Sequence, residues 1–196
     1  MKKVILSLIF LATISNINAQ SITNFSYSIG FPSGDFSSYI SDASFRGFSF
    51  GYARFVKPNI TAGFNVGWNV FYENKGYDTY NEGTASLSGN QFRTNNSVPL
   101  TGNVNYYFKQ AEKTNIYGGL GLGLVYNHRN TDMYVYTIDE ESWNFGLQPE
   151  IGLEYKVDSK LLLTVAGKYY YCFESGDINA PISYFALNLG VSFLGR

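Results

Sequence analysis

Bulky apolar residues recur at every second position in eight separate stretches of the chain. The pattern is clearest between Ala62 and Tyr72, where even positions are apolar and the odd positions from 61 to 69 are threonine, glycine or asparagine. A period of two is typical of a β-strand whose two faces meet different surroundings. The alternation predicts strands over residues 22–31, 46–56, 60–72, 94–108, 115–127, 142–155, 161–172 and 183–194.

The segments between these strands alternate between long and short. The long ones are 32–45, 74–93, 128–141 and 173–182, and the short ones are 57–59, 109–114 and 156–160. Outer-membrane barrels pair long extracellular loops with short periplasmic turns in this way. The pattern therefore predicts an all-β fold, an eight-stranded antiparallel transmembrane β-barrel with both termini on the periplasmic side.

The two faces of the strands differ in volume, which indicates the face that meets lipid. The interior of an eight-stranded barrel is just wide enough to be filled by its side chains. The stripe of Phe, Tyr, Trp and Leu would overfill it, whereas the Gly, Ser, Asn, Thr and Ala stripe fits. This disfavours the alternative, a soluble lipocalin-like barrel with its bulky face inward. Aromatic residues also lie near both ends of the bulky stripes, as expected of girdles at the two bilayer interfaces: Phe25, Tyr52, Tyr72, Phe108, Tyr126, Phe145, Tyr155, Tyr171 and Phe193.

Residues 1–19 have the layout of a secretory signal peptide. Lys2 and Lys3 give a positive start, residues 4–14 are apolar and uncharged, and a polar stretch ends at the small residue Ala19. We expect cleavage after Ala19, a single barrel domain over 20–196, and a location in the outer membrane of a Gram-negative-type cell.

Composition excludes several classes of protein. No run after residue 19 approaches the roughly 20 apolar residues that a membrane helix needs, although aromatics make up 18% of the chain and glycines number 20. Loss of Lys2 and Lys3 lowers the formal net charge from −1 to −3, which gives no reason to expect a nucleic-acid partner. The single cysteine, Cys172, excludes an intrachain disulfide.

Three segments resemble the small outer-membrane β-barrel family of the OmpX, OmpW and OmpA-barrel type. Residues 116–123 resemble its glycine-rich central strand, 149–155 its sixth strand, and 189–193 the C-terminal strand signal. That family normally ends at the aromatic residue, whereas Leu194, Gly195 and Arg196 follow it here. The resemblance implies a fold, an outer-membrane location, and the barrel-assembly machinery as a partner during biogenesis. It does not imply a reaction.

Three charged residues point into the predicted lumen by parity: Glu150, Glu154 and Lys168. If the sixth and seventh strands pair around 156–160, Lys168 faces Gln148 and lies diagonal to Glu150, about 7–8 Å away at Cα. We predict a lumenal ion pair that plugs the barrel. The functional alternative is a path for protons or ions.

The predicted long loops hold the remaining candidates for chemistry. His128 is the only histidine and has no accompanying nucleophile motif, which favours a polar residue at a loop base. The acidic residues of this loop could bind calcium, but their spacing favours a solvated surface: Asp132, Asp139, Glu140 and Glu141. We predict no catalytic residue, metal site or cofactor.

Basic and aromatic side chains lie on the predicted extracellular side. Arg46, Lys75 and Arg93 are placed to contact lipopolysaccharide phosphates. The tyrosines of the second and third long loops suggest adhesive tips, or strands that continue above the membrane: Tyr77, Tyr80, Tyr134 and Tyr136.

Three classes of function follow. The first is a non-enzymatic structural or surface-interaction protein with a largely plugged polar lumen. The second is a narrow, porin-like channel for small solutes, and the third is a lipid-modifying enzyme. The missing catalytic set argues against the third, and the small lumen favours the first. We expect a monomer whose partners are outer-membrane lipid and lipopolysaccharide.

Overall fold

The computed structural model describes residues 20–82, 85–133 and 136–195. The predicted signal peptide and Tyr134 lie outside these ranges. The elements in chain order are β1 Ser21–Ser33, α1 Gly34–Tyr39, β2 Gly47–Lys57, β3 Ile60–Glu82, β4 Ala85–Gln110, β5 Thr114–Asp132, β6 Thr137–Lys156, β7 Leu161–Cys172 and β8 Ile182–Gly195.

The eight strands form a closed antiparallel barrel. Each strand pairs with its neighbours in sequence, and β1 pairs with β8 along its whole length, from Ser21 opposite Gly195 to Ser33 opposite Ser183. Closure gives every strand two partners within the wall, so the barrel has no open edge there. The predicted eight-stranded antiparallel barrel is confirmed.

No helix among the described residues is long and apolar enough to cross a membrane.

Two pairs of strands are longer than predicted. β3 and β4 continue far into residues 74–93, and β5 and β6 continue to Asp132 and from Thr137. The predicted bounds of these strands were too short, and of the two alternatives for the tyrosines the continuing strand is the one observed for Tyr77 and Tyr80, which lie in β3. Hydrophobic alternation ends at the outer interface because both faces then meet water or polar groups. The backbone ladder continues, supported by opposite charges such as Arg129 opposite Glu140 and by polar pairs such as Thr79 opposite Ser88.

The bulky stripes cover the outside of the barrel. Residues near the end that carries the termini include Phe108, Tyr155 and Phe193, and they are exposed. On β4 to β8, leucine and valine lie between this end and a second aromatic group at the other end, whereas on β1 and β2 aromatic residues also occupy the middle, as in the pairs of Phe25 with Phe50 and Tyr27 with Phe48. All nine residues predicted as girdle positions face outward, either exposed or half-buried. The wall is therefore apolar outside, with an aromatic group at each end.

Candidate functional site

A polar layer crosses the middle of the lumen. The Nζ atom of Lys168 lies 2.8 Å from Oδ1 of Asn65 and 3.7 Å from Oε2 of Glu150. Gln148 donates to the same Glu150 oxygen at 3.0 Å and accepts a hydrogen bond from Thr101 at 2.7 Å. All five side chains are buried, so the structure brings Lys168 and Glu150 together inside the barrel.

The register between β6 and β7 differs from the predicted one. Lys168 lies directly opposite Glu150, and the expectation that it faces Gln148 was wrong. The connection occupies residues 157–160, with the Val157 amide donating to the carbonyl of Leu161. The midpoint of the turn therefore lies one residue later than the sequence pattern suggested. Each residue of β7 in this register faces a β6 residue two positions further along than predicted.

Glu154 lies in a different layer, at the end of the barrel that carries the termini. Its carboxylate accepts hydrogen bonds from the Tyr107 hydroxyl and the Asn115 amide, both at 3.2 Å. Tyr107 and Tyr117 pack with Ile22 in a buried cluster, with ring centroids 5.3 Å apart. This cluster forms an apolar floor to the lumen, and Glu154 belongs to the floor and not to the Lys168 pair.

The other end of the lumen is filled by two connections that fold inward. The helix α1 brings in Phe36, Ile40 follows it, and the last connection contributes Ile178, all buried. They pack against inward-facing aromatic residues of the wall, with Phe36 to Phe71 at 5.1 Å, Phe71 to Tyr184 at 5.0 Å and Tyr170 to Tyr184 at 4.7 Å between ring centroids. The prediction of a polar lumen was wrong in this half, because Phe71, Tyr170 and Tyr184 break the small-polar pattern.

Two arginines at the extracellular end of the lumen hold the connection between β1 and β2, which contains α1, in place. Arg93 donates from Nη1 to the carbonyl of Tyr39 at 2.9 Å. The guanidinium carbons of Arg93 and Arg129 lie 5.0 and 4.1 Å from the centroid of the Tyr39 ring, within the range of cation–π attraction. The Tyr39 hydroxyl also hydrogen-bonds to Thr131 at 2.7 Å. Arg93 therefore holds the segment that carries Tyr39, and its contact with lipopolysaccharide phosphates stays a prediction.

Glu73 makes a second attachment just above the outer girdle. Its carboxylate accepts from the Ser41 amide at 2.7 Å and the Ser41 hydroxyl at 3.0 Å, and Lys75 Nζ lies 2.8 Å away. Partial burial raises the pKa of Glu73, but the hydrogen bonds from Lys75 and Ser41 outweigh it and hold the pKa below its usual value. Lys75 is thus paired with Glu73 within the protein, and its contact with lipopolysaccharide phosphates stays a prediction.

The Glu73 attachment should depend on pH. A carboxyl group with a lowered pKa stabilises the folded form above its ordinary pKa, and that stabilisation is lost as the pH falls through the lowered value. We expect the protection of the Ser41 amide against hydrogen exchange to be full at neutral pH and to fall at pH values below 4.5. The amide of Ile40, which bonds to the carbonyl of Phe36, is the internal control. If the protection of the Ser41 amide depended on pH in the Glu73→Gln variant as it does in wild type, the assignment of this effect to Glu73 would be wrong.

His128 and Asp139 meet on the outward face of the β5–β6 hairpin. His128 Nε2 lies 3.1 Å from Asp139 Oδ1, which also accepts from the Asn130 amide at 2.8 Å. The Asn130 hydrogen bond and His128 lower the pKa of Asp139. These groups lie on adjacent strands at the surface, where Asp139 is exposed and His128 is half-buried, and such cross-strand pairs are common. Within the described ranges, no three His, Cys, Asp or Glu side chains are grouped as a metal site.

Comparison with known proteins rests on structure. No protein-family model matches the chain, and no curated protein matches it. Among solved structures, Ail, the attachment invasion locus protein of Yersinia pestis, superimposes with a TM-score of 0.54 at 13% identity, covering 91% of this chain and all of Ail. This chain has the fold of the small outer-membrane β-barrels.

Two further barrels extend the comparison. The outer membrane protein OprG from Pseudomonas aeruginosa gives a TM-score of 0.52 at 12% identity over 91% of this chain and 96% of OprG. The outer membrane protease OmpT from Escherichia coli gives 0.52 at 9% identity over 92% of this chain and 98% of OmpT. Because these relatives in fold include an attachment protein and a protease, the fold does not assign an activity.

Proposed function

We propose that this chain is a non-enzymatic outer-membrane protein that presents its extracellular hairpins to a partner. The apolar outer wall, with aromatic groups at both ends, supports a location in a bilayer. The layout of residues 1–19 supports export to the outer membrane. The cross-strand pairing of His128 with Asp139 needs no catalytic explanation, which supports a non-enzymatic role.

The observation that carries the proposal is closure of the lumen at both ends. The cluster of Ile22, Tyr107 and Tyr117 lies below the polar layer, and the cluster around Phe36 and Tyr184 lies above it. The cavity left between them has a volume of about 50 Å³. Such a space holds a few water molecules at most, which disfavours the alternative of a solute channel.

The hairpins supply the surface for a partner. The β3–β4 hairpin projects beyond the outer girdle, and past Asn69 the strand β3 has no further partner in β2. Tyr77 on this hairpin is 77% exposed, and Tyr136 beside the β5–β6 hairpin is 59% exposed. Exposed aromatic residues on a free strand edge are common anchors for protein partners. The role that we propose for these exposed aromatic residues is adhesion to a surface; Ail, which has a similar fold, is an attachment protein.

Closure of the lumen predicts an electrically silent protein. We expect purified protein in planar bilayers to give no steady conductance above that of a protein-free bilayer, because the lumen contains no continuous aqueous path. Large, steady steps would contradict the closed barrel and favour the channel.

The hairpin role is tested separately on cells. Replacing residues 76–90 with an Asn-Gly turn should remove the β3–β4 projection while keeping the barrel wall, since Asn-Gly is a preferred two-residue hairpin connection. We expect cells that display this variant to lose adhesion to matrix-coated surfaces that wild-type cells bind. The variant's heat-modifiable gel mobility controls for folding. Adhesion equal to wild type would exclude this hairpin as the binding surface.

A further inference from the structure

A groove lies on the outer face of the wall, between the segment that precedes β2 and the strand β3. Its volume is about 400 Å³, and it is lined by Asp42, Ala43, Ser44, Phe45, Arg46, Val70 and Tyr72.

The backbone hydrogen bonds of this segment fix the groove in place. Ser44 exchanges two of them with Gly30 of β1, at 2.8 and 2.7 Å. On the other side its hydroxyl donates to the carbonyl of Val70, and the Val70 amide donates to the carbonyl of Arg46 at 2.9 Å. The segment therefore fills the place of a strand between β1 and β3, and the groove does not depend on a mobile loop.

The groove lies at the outer interface of the proposed bilayer. Tyr72 belongs to the outer aromatic group, and Trp68, below Val70 on the same face of β3, belongs to the apolar stripe. The hydrogen bond between Val70 and Arg46 places Arg46 at the level of Val70. Lipid headgroups lie at this level of a membrane.

The side chains of the groove suit a lipid with a phosphate. Phe45 and Tyr72 are 62% and 43% exposed, which is enough to cover an acyl chain. Arg46 is exposed and forms no ion pair with any described residue, in contrast to Arg93 and Arg129, which hold Tyr39. A guanidinium group binds phosphate through two parallel hydrogen bonds.

We propose that this groove binds one phosphate-bearing lipid of the outer leaflet. The phosphate bonds to Arg46, and an acyl chain lies along Phe45, Val70 and Tyr72. The carboxylate of Asp42 at the same groove accepts hydroxyl or amine hydrogens of the headgroup. This inference rests on the proposed outer-membrane location.

The test is native mass spectrometry of the full barrel in a non-ionic detergent, titrated with phosphatidylglycerol. We expect wild type to retain one lipid, and Arg46→Gln to weaken binding about tenfold or more, since a charge-assisted hydrogen-bonded pair is lost. Arg46→Lys keeps the charge but not the paired hydrogen bonds, so its affinity should fall between the two. The matched control is Arg54→Gln, an exposed outer-face arginine at the other end of the wall, whose affinity should equal wild type.

Three results would overturn the assignment. An equal loss in Arg46→Gln and Arg54→Gln would show non-specific attraction. Equal retention of diacylglycerol, which lacks the phosphate, would remove the role of Arg46. Equal affinity for inorganic phosphate alone would make the site one for a free anion and not for a lipid. None of these results bears on the conductance of the lumen or on adhesion, so failure here is distinguishable from failure of the proposed function.

Discussion

Replacing Lys168 with alanine is expected to lower the free energy of unfolding by about 3–5 kcal/mol. The Glu150 carboxylate is buried and relies on Lys168 for its compensating charge at 3.7 Å, with Gln148 as its hydrogen-bond donor. Removal of the lysine also leaves Asn65 without the donor at its Oδ1. Both losses leave polar groups unpaired in the lumen, where desolvation is costly.

A double-mutant cycle separates the interaction energy of Lys168 with Glu150 from the penalty of leaving one buried charge without its partner. We expect Lys168→Met combined with Glu150→Gln to be much less destabilising than Lys168→Met alone, because no unpaired charge remains. Lys160→Ala, in the exposed turn before β7, is the control and should change stability by no more than about 0.5 kcal/mol. Urea unfolding in lipid vesicles, followed by heat-modifiable mobility, measures each free energy. A double variant as unstable as the single one would mean that packing, and not charge, dominates at this site.

The strands of this barrel could be predicted because lipid and lumen impose opposite demands on alternate residues. In β3, every second residue from Ala62 to Tyr72 had to be apolar, and this left a readable period of two. The same rule placed Glu150, Glu154 and Lys168 on the lumenal face. Position on a face follows from parity alone, so these assignments needed no knowledge of packing.

Contacts within the lumen could not be predicted in this way. Parity marks Phe71, Tyr170 and Tyr184 as inward, but it does not show that α1 folds down to pack on them. The register of Lys168 depends on where a short turn is centred, and a shift of two residues in partner leaves parity unchanged. Parity therefore gives the direction of a side chain and not its partner.

The groove on the outer face is a second case in which the sequence pattern did not reveal the partners of a side chain. Arg46 was singled out from the sequence as a basic residue near the outer interface, together with Lys75 and Arg93. The structure separates the three, because Arg93 faces the plug and Lys75 pairs with Glu73. What distinguishes Arg46 is the pairing of Ser44 with both β1 and β3, a contact that the sequence pattern of a loop does not encode.

Replacing Gly152 with alanine is expected to destabilise the barrel by about 1–3 kcal/mol through overpacking. The Tyr117 ring lies across Gly152 on the neighbouring strand, and a Cβ added there would fall within 3.0 Å of the ring carbons and hydroxyl. The ring is buried in the floor with Tyr107 and Ile22, so it cannot move aside without opening that cluster. Where the wall has room for a Cβ, as at Gly102, glycine to alanine should have the opposite sign, since it reduces the entropy of the unfolded chain by about 0.4–1 kcal/mol.

Whether Gly152→Ala lowers or raises the free energy of unfolding therefore tests the packing of the floor. Gly102→Ala is the matched control, because the nearest atoms to an added Cβ there lie 3.9 Å away, and we expect it to be neutral or slightly stabilising. In a background of Tyr117→Ala the space beside Gly152 is empty, so Gly152→Ala should cost nothing further. The same vesicle unfolding assay measures all four variants. If Gly152→Ala is as destabilising without the Tyr117 ring as with it, the ring does not lie on Gly152, and the floor that closes the lumen must be built differently.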